Sequence, residues 1–180
     1  ETWVKGRGKI GDYLHHLYTN NPIHKQRGIT EQFGRSWVMW DLINISYLEN
    51  NKPIMYGLAT DDSHHYHRSG SEWSNAGRGW VMVQSDTLSP SSLIQALEAG
   101  RFYASTGTTL RSVKHENNKL LIEVEEESGV DYAITFIGLK KGRSETEELA
   151  TIKGAKADFE ITEDIVFVRS RITSSKLQSN

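Results

Sequence analysis

The chain contains no cysteine in its 180 residues. That excludes a disulfide scaffold, a cysteine-ligated zinc and a cysteine nucleophile. It leaves the compartment open, because a cysteine-free chain suits reducing and oxidising surroundings alike. Any apolar run approaching the ~20 residues of a bilayer-spanning helix is also lacking, so a membrane-embedded chain is not expected. An excess of either charge is missing too. Lysine plus arginine number 21 against 23 for aspartate plus glutamate, a formal net charge of −2. Nucleic-acid binding ordinarily needs a basic stripe, and no nucleic-acid partner is expected. There is no internal repeat and no low-complexity tract. Glu1-Thr2-Trp3-Val4 reads as a strand already in progress, with neither the basic stretch nor the apolar run of a signal peptide. The expectation is a trimmed or fragmentary chain.

What is present suffices for a core: 37% hydrophobic and 24% charged residues, at a length suited to one domain or two small ones. Composition shifts near Gly107. All five tryptophans and six of the seven histidines precede it, which suggests one unit over 1–107 and a second over 108–180. In the first, Phe33, Trp37, Trp40, Leu42, Ile43 and Leu48 recur at helical spacings within 29–50. Asn50-Asn51-Lys52-Pro53 ends that pattern. The short apolar runs 54–59 and 80–83 are of strand length and suit buried parallel strands. Between 89 and 100, serine can cap a helix, Pro90 fits its first position and Gly100 closes it. Residues 101–105 resume as strand, giving the rhythm of an α/β layer or barrel. The second unit shows only strand signals, at 110–114, 120–124, 132–137, 149–152, 157–161 and 165–172. Asn117-Asn118 forms a turn signal between the first two. A small antiparallel sheet or sandwich is expected there. The acidic runs 125–127 and 147–148 read as solvated faces.

The chemistry-bearing stretch is Asp61-Asp62-Ser63-His64-His65-Tyr66-His67, two carboxylates and three imidazoles in seven positions directly after an apolar run. Active sites of parallel α/β folds gather at the C-terminal ends of strands. Asp-x-His spacing lets an oxygen and a nitrogen donor reach one centre, and that donor pair suits zinc, manganese or iron. Asp62 and His64 are the expected metal ligands, with His65 a further ligand or outer contact. His15, His16, His24 and His67 are weaker candidates, since none lies in a comparable Asp-x-His pattern behind an apolar strand. Arg78, between Gly77 and Gly79, is a candidate to bind a phosphate or carboxylate of a substrate. Ser105 has no general base beside it in sequence and reads as structural.

Gly57-Leu58-Ala59-Thr60-Asp61-Asp62-Ser63-His64-His65-Tyr66, then 77–83, then 96–107, together resemble the C-terminal half of a PHP-domain metal-dependent hydrolase. The similarity is greatest to the carbaryl-hydrolase-like branch. Trp40-Asp41 and Glu1 also fit the helix and strand expected there. The resemblance implies an α/β architecture: the C-terminal part of a PHP-type (β/α)7 barrel over 1–107, followed by a small antiparallel β-sheet or sandwich extension over 108–180. It implies two or three divalent metal ions and a metal-activated water that cleaves a phosphoester, carboxylic ester or related bond of a small-molecule or ester substrate. The family's last metal motif falls on Asp62 and His64, and Asp61 would orient the loop or a ligand. The family's opening His-x-His motif would precede Glu1. The resemblance therefore implies a missing N-terminal half of the same protein as partner, and little activity from this segment alone. Relatives in the branch are often exported, which points weakly to the periplasm. The competing reading is a non-catalytic binding or interaction module that uses its β-rich part as a recognition surface.

Overall fold

The structure is a computed structural model and describes residues 2–6, 9–13, 40–60, 63, 76, 77 and 79–176, the first two segments as backbone. Its elements in chain order are β1 (Thr2–Gly6), β2 (Lys9–Tyr13), α1 (40–49), β3 (Trp80–Val83), α2 (Pro90–Glu98) and β4 (Phe102–Ser105). There follow β5 (Leu110–Glu116), β6 (Lys119–Val124), β7 (Tyr132–Lys140), β8 (Glu147–Lys153), β9 (Lys156–Glu160) and β10 (Ile165–Ser174).

Residues in β6 and β9 alternate between buried and more exposed positions, while β7 and β10 are buried along most of their length, and the strands pair into two sheets. One is five-stranded in the order β2-β1-β10-β7-β8; the other is three-stranded, β5-β6-β9. Leu110, Leu120, Ile122 and Val124 from the smaller sheet meet Tyr132, Ile134, Phe136, Val168 and Ile172 from the larger in one buried cluster. This is the arrangement of a sandwich, in which the inward face of each sheet supplies alternate residues. Phe136 is wholly buried and stacks on Phe159 of β9, ring centroids 5.2 Å apart.

The five-stranded sheet is covered on its other face as well. Phe167 and Leu139 point away from the sandwich core and pack with Ile45 of α1 and Ile54. A bulge in β10 between Ile165 and Phe167 shifts the alternation, so Ile165 packs on the sandwich core while Phe167 faces the helix. β7 and β10 are therefore buried on both sides. Strand β1 completes the sheet by pairing antiparallel with β10, Val4 opposite Arg169. One sheet thus takes strands from both sides of Gly107.

A separate ribbon, β3 with β4, carries α2 in its connection. The hydroxyl of Ser89 accepts the Ser92 amide, Pro90 opens the helix, and Gly100 follows its end at φ +68°. These are the capping residues the sequence provides, in their expected places. Among the described residues no helix is long and apolar enough to cross a membrane.

The expected (β/α)7 architecture is overturned. Among the described residues the structure is mostly small antiparallel sheets with two helices, and no TIM-like barrel is found. Every strand pair among the described residues is antiparallel, whereas a barrel of that kind requires parallel neighbours. The strand–helix–strand rhythm of β3, α2 and β4 misleads because the chain turns back after the helix and pairs Trp80 with Ser105. β3 also alternates, with Trp80 and Met82 exposed, where a barrel strand is buried on both faces. The apolar run 54–59 forms no strand among the described residues.

Candidate functional site

Helix α1 sets the local frame. Its buried stripe is Asp41, Asn44, Ile45 and Leu48, at spacings of three and four. Leu42 and Ile43, which belong to the apolar pattern that marks the helix, are exposed at 45% and 37%. Two of the four inward positions are therefore polar, and each must find partners to offset its desolvation.

Asp41 finds them on the sheet. Arg169 of β10 donates Nε–H to Asp41 Oδ1 at 2.9 Å and Nη2–H to Oδ2 at 2.8 Å. The Thr146 hydroxyl donates to Oδ2 at 2.7 Å. Both charged side chains are only 5% exposed. A planar guanidinium matched to both carboxylate oxygens fixes orientation as well as distance. The contact ties the helix to β10 and to the turn before β8.

Asn44, one helical turn on, is fully buried. Its Nδ2 donates to Trp40 O at 3.2 Å and to Met55 O at 3.3 Å, while its Oδ1 accepts the Met55 amide at 2.7 Å. Both backbone groups of Met55 are thus satisfied by one side-chain amide, which takes the place of a neighbouring strand. Asn51 at φ +55° closes α1, and the Lys52 amide bonds Tyr47 O at 2.7 Å. The segment that follows is pinned again at Tyr56, whose ring meets Phe102 edge-on at 5.8 Å. That ring also lies where a Cβ at Gly100 would stand, 2.5 Å away.

Ile54 and Ala59 are buried, while Thr60 is exposed. The chain thus leaves the core at the position before the donor cluster. Asp61, Asp62, His64 and His65 lie outside the described residues, as do Arg78, His15, His16, His24 and His67. Ser63 between the expected ligands is exposed, and Gly77, beside Arg78, adopts φ +90°, a conformation that favours glycine. Among the described residues no three His, Cys, Asp or Glu side chains are grouped so as to hold a metal ion.

Ser105 is buried. Its hydroxyl donates to Thr108 O at 2.8 Å and accepts the Gly107 amide at 3.0 Å, so it locks the turn from β4 into β5. The Tyr103 hydroxyl accepts the Leu110 amide at 3.0 Å on the same turn. The residues that sequence reasoning missed are Asp41, Asn44 and Arg169. Their signal is present in the chain: polar residues on the inward stripe of a helix, and an arginine on the inward face of an apolar strand.

No family model, no curated protein and no solved structure matches this chain.

Proposed function

We propose that the chain contributes metal ligands to a metal-dependent hydrolase, Asp62 through its carboxylate and His64 through a neutral imidazole. The observation that supports this most directly is the position of the donor cluster. It begins two residues after Ala59, the last buried residue of a segment held at Ile54, Met55 and Tyr56. Donors that follow a fixed backbone need less ordering to converge on an ion than donors in the middle of a long free loop.

The donor set fits the group. One carboxylate and one imidazole suit zinc, manganese or iron, and both must be deprotonated to bind. When bound, a divalent ion supplies Lewis acidity and activates water toward a phosphoester, carboxylic ester or related bond. Asp61 would orient the loop, His65 would serve as further ligand or outer contact, and Arg78 would pair with an anionic group of a small-molecule or ester substrate. A catalytic ion ordinarily takes three protein ligands. Asp62 and His64 supply two, so the 180-residue chain is expected to bind metal weakly and to show little turnover.

The test is metal binding by the purified chain. Mn²⁺ and Zn²⁺ are titrated into the wild type, Asp62→Ala and His64→Ala, and bound metal is measured. The expected result is parallel loss in both variants. Equal metal content in all three proteins overturns the proposal and favours a non-catalytic module that binds through residues 108–180.

A further inference from the structure

We infer that the edge of β10 facing β1 is a strand-acceptor site, and that β1 is a donor strand which an extended peptide of the same sequence can replace. The inference is independent of the metal reading. The strands β5 to β10 close a core among themselves: its buried residues, among those described, all lie between Leu110 and Ile172. Their order is β5-β6-β9 in one sheet and β8-β7-β10 in the other. That is the order of strands A-B-E and C′-C-F in an immunoglobulin-type sandwich, whose last strand, G, lies beside F. Here the place beside β10 is held by β1. The two run antiparallel, with Val4 opposite Arg169, Lys5 opposite Val168 and Gly6 opposite Phe167.

The edges of the sandwich differ in how they are guarded. Edge strands discourage further pairing with exposed charges, proline or bulges. β5 exposes Arg111, Lys114 and Glu116, β9 exposes Lys156 and Asp158, and β8 exposes Glu147 and Glu148. The stretch of β10 opposite β1 carries no such guard. Phe167, Val168 and Arg169 are all buried, and the one charge among them is bound to Asp41 of α1. The bulge before Phe167 lies where pairing with β1 ends, so it bounds the site without closing it. Left open, this edge would present unpaired N–H and C=O groups on a buried strand. An extended segment satisfies them through its backbone, which is the chemistry of strand addition. β10 thus receives the N-terminal part of the chain twice at one residue: Arg169 lies opposite Val4 in the ladder and grips Asp41 with its side chain.

The test uses the full chain with Val4→Pro/Lys5→Pro. β1 lies between β10 and β2, and consecutive amides of a strand point to opposite neighbours, so the two prolines break pairing toward each. Amide hydrogen exchange is followed along β6 and β10, and a fluorescent peptide of residues 1–13 is titrated in and read by anisotropy. The expected result is at least tenfold faster exchange at the β10 amides that face β1, with β6 unchanged. The peptide should bind the variant at least tenfold more tightly than wild type and restore protection in β10. A peptide carrying the same two prolines should not bind. A second variant, Lys5→Cys/Val168→Cys, places the only two cysteines of the chain opposite each other, within disulfide reach. Once oxidised, it should refuse the peptide. Loss of the cooperative fold in the proline variant would make β1 an integral strand and overturn the inference. Unchanged exchange in β10, or failure of the peptide to bind the proline variant, overturns it too. Equal binding by wild type, or binding by the oxidised variant, places the peptide elsewhere and does the same.

Discussion

Arg169 and Asp41, 128 positions apart in the chain, meet through two parallel hydrogen bonds of 2.9 and 2.8 Å with both side chains buried. Trp40, Ile45 and Leu48 of α1 supply apolar contact with Leu139 and Phe167 of the sheet, and the ion pair fixes where along β10 that contact is made.

A buried pair is weak evidence of net stability, because desolvation of both ions opposes their attraction, but removal of one partner leaves the other charged and stranded. Asp41→Ala is therefore expected to cost about 3–5 kcal/mol, measured by urea denaturation. The double variant Asp41→Leu/Arg169→Met should recover most of that loss. A double variant as unstable as the single one would show that the pair contributes attraction well beyond its desolvation.

At Gly100 two constraints coincide: φ is +68°, and an added Cβ would lie 2.5 Å from the Tyr56 ring. The left-handed conformation alone costs a non-glycine residue about 1–2 kcal/mol, and the ring must also move from its contact with Phe102. Gly100→Ala should thus lower stability by more than the backbone penalty alone. Gly100→Ala in a Tyr56→Leu background should cost less than in wild type. Equal cost in both backgrounds would assign the whole effect to the backbone.

The parts of this fold that could be read from the sequence are those specified locally. The six strands from β5 to β10 follow from short strand-length apolar runs, and α2 follows from Ser89, Pro90 and Gly100. Strand direction was not legible, because β3 and β4 look the same in sequence whether the chain returns parallel or antiparallel. The run 54–59 carries the apolar signature of a strand, yet it forms none, and at Met55 its backbone is paired by the Asn44 side chain, a partner that no periodicity announces. Leu42 and Ile43 stay exposed for a related reason. The helix turns its polar Asp41 and Asn44 inward, since Arg169 and Met55 are there to receive them. The expected ligands Asp62 and His64 were singled out by density and spacing of donors, and they lie outside the described residues.

The β5–β6 connection is a two-residue loop in which Asn117 and Asn118 adopt φ +49° and +58° between the paired Glu116 and Lys119. This is the backbone of a type I′ turn, whose twist matches that of the flanking strands. Asn118→Gly should be neutral or slightly stabilising, and Asn118→Ala should cost about 1 kcal/mol. Because Asn118 O accepts the Ile161 amide at 2.7 Å, the same loop holds the end of β9. Hydrogen exchange at Ile161 should rise in Asn118→Ala and stay unchanged in Asn118→Gly. A rise in both would mean that the carbonyl position depends on the asparagine side chain rather than on the turn.

The surface ion pairs set the dependence of stability on pH. A hydrogen bond from Lys156 lowers the Glu123 pKa, one from Lys140 lowers that of Glu147, and the Thr162 hydroxyl lowers that of Asp164. A carboxylate with a depressed folded pKa contributes its full stability above the ordinary value, about 4, and loses it as pH falls through the depressed one. Lys119 runs the other way. The Asp158 carboxylate raises its pKa, so its contribution is complete below the ordinary lysine value, about 10.4, and fades as pH rises through the raised one. From these groups, the urea midpoint should hold level between about pH 5 and 10 and decline on both sides. Lys119, Glu147 and Asp164 are exposed and Glu123 is half-buried, so each contribution is small and screened by salt. The acid decline should become shallower in about 1 M salt, where the screening length is ~3 Å, and in the double variant Lys140→Met/Lys156→Met. An acid limb indifferent to both would place its origin away from these pairs.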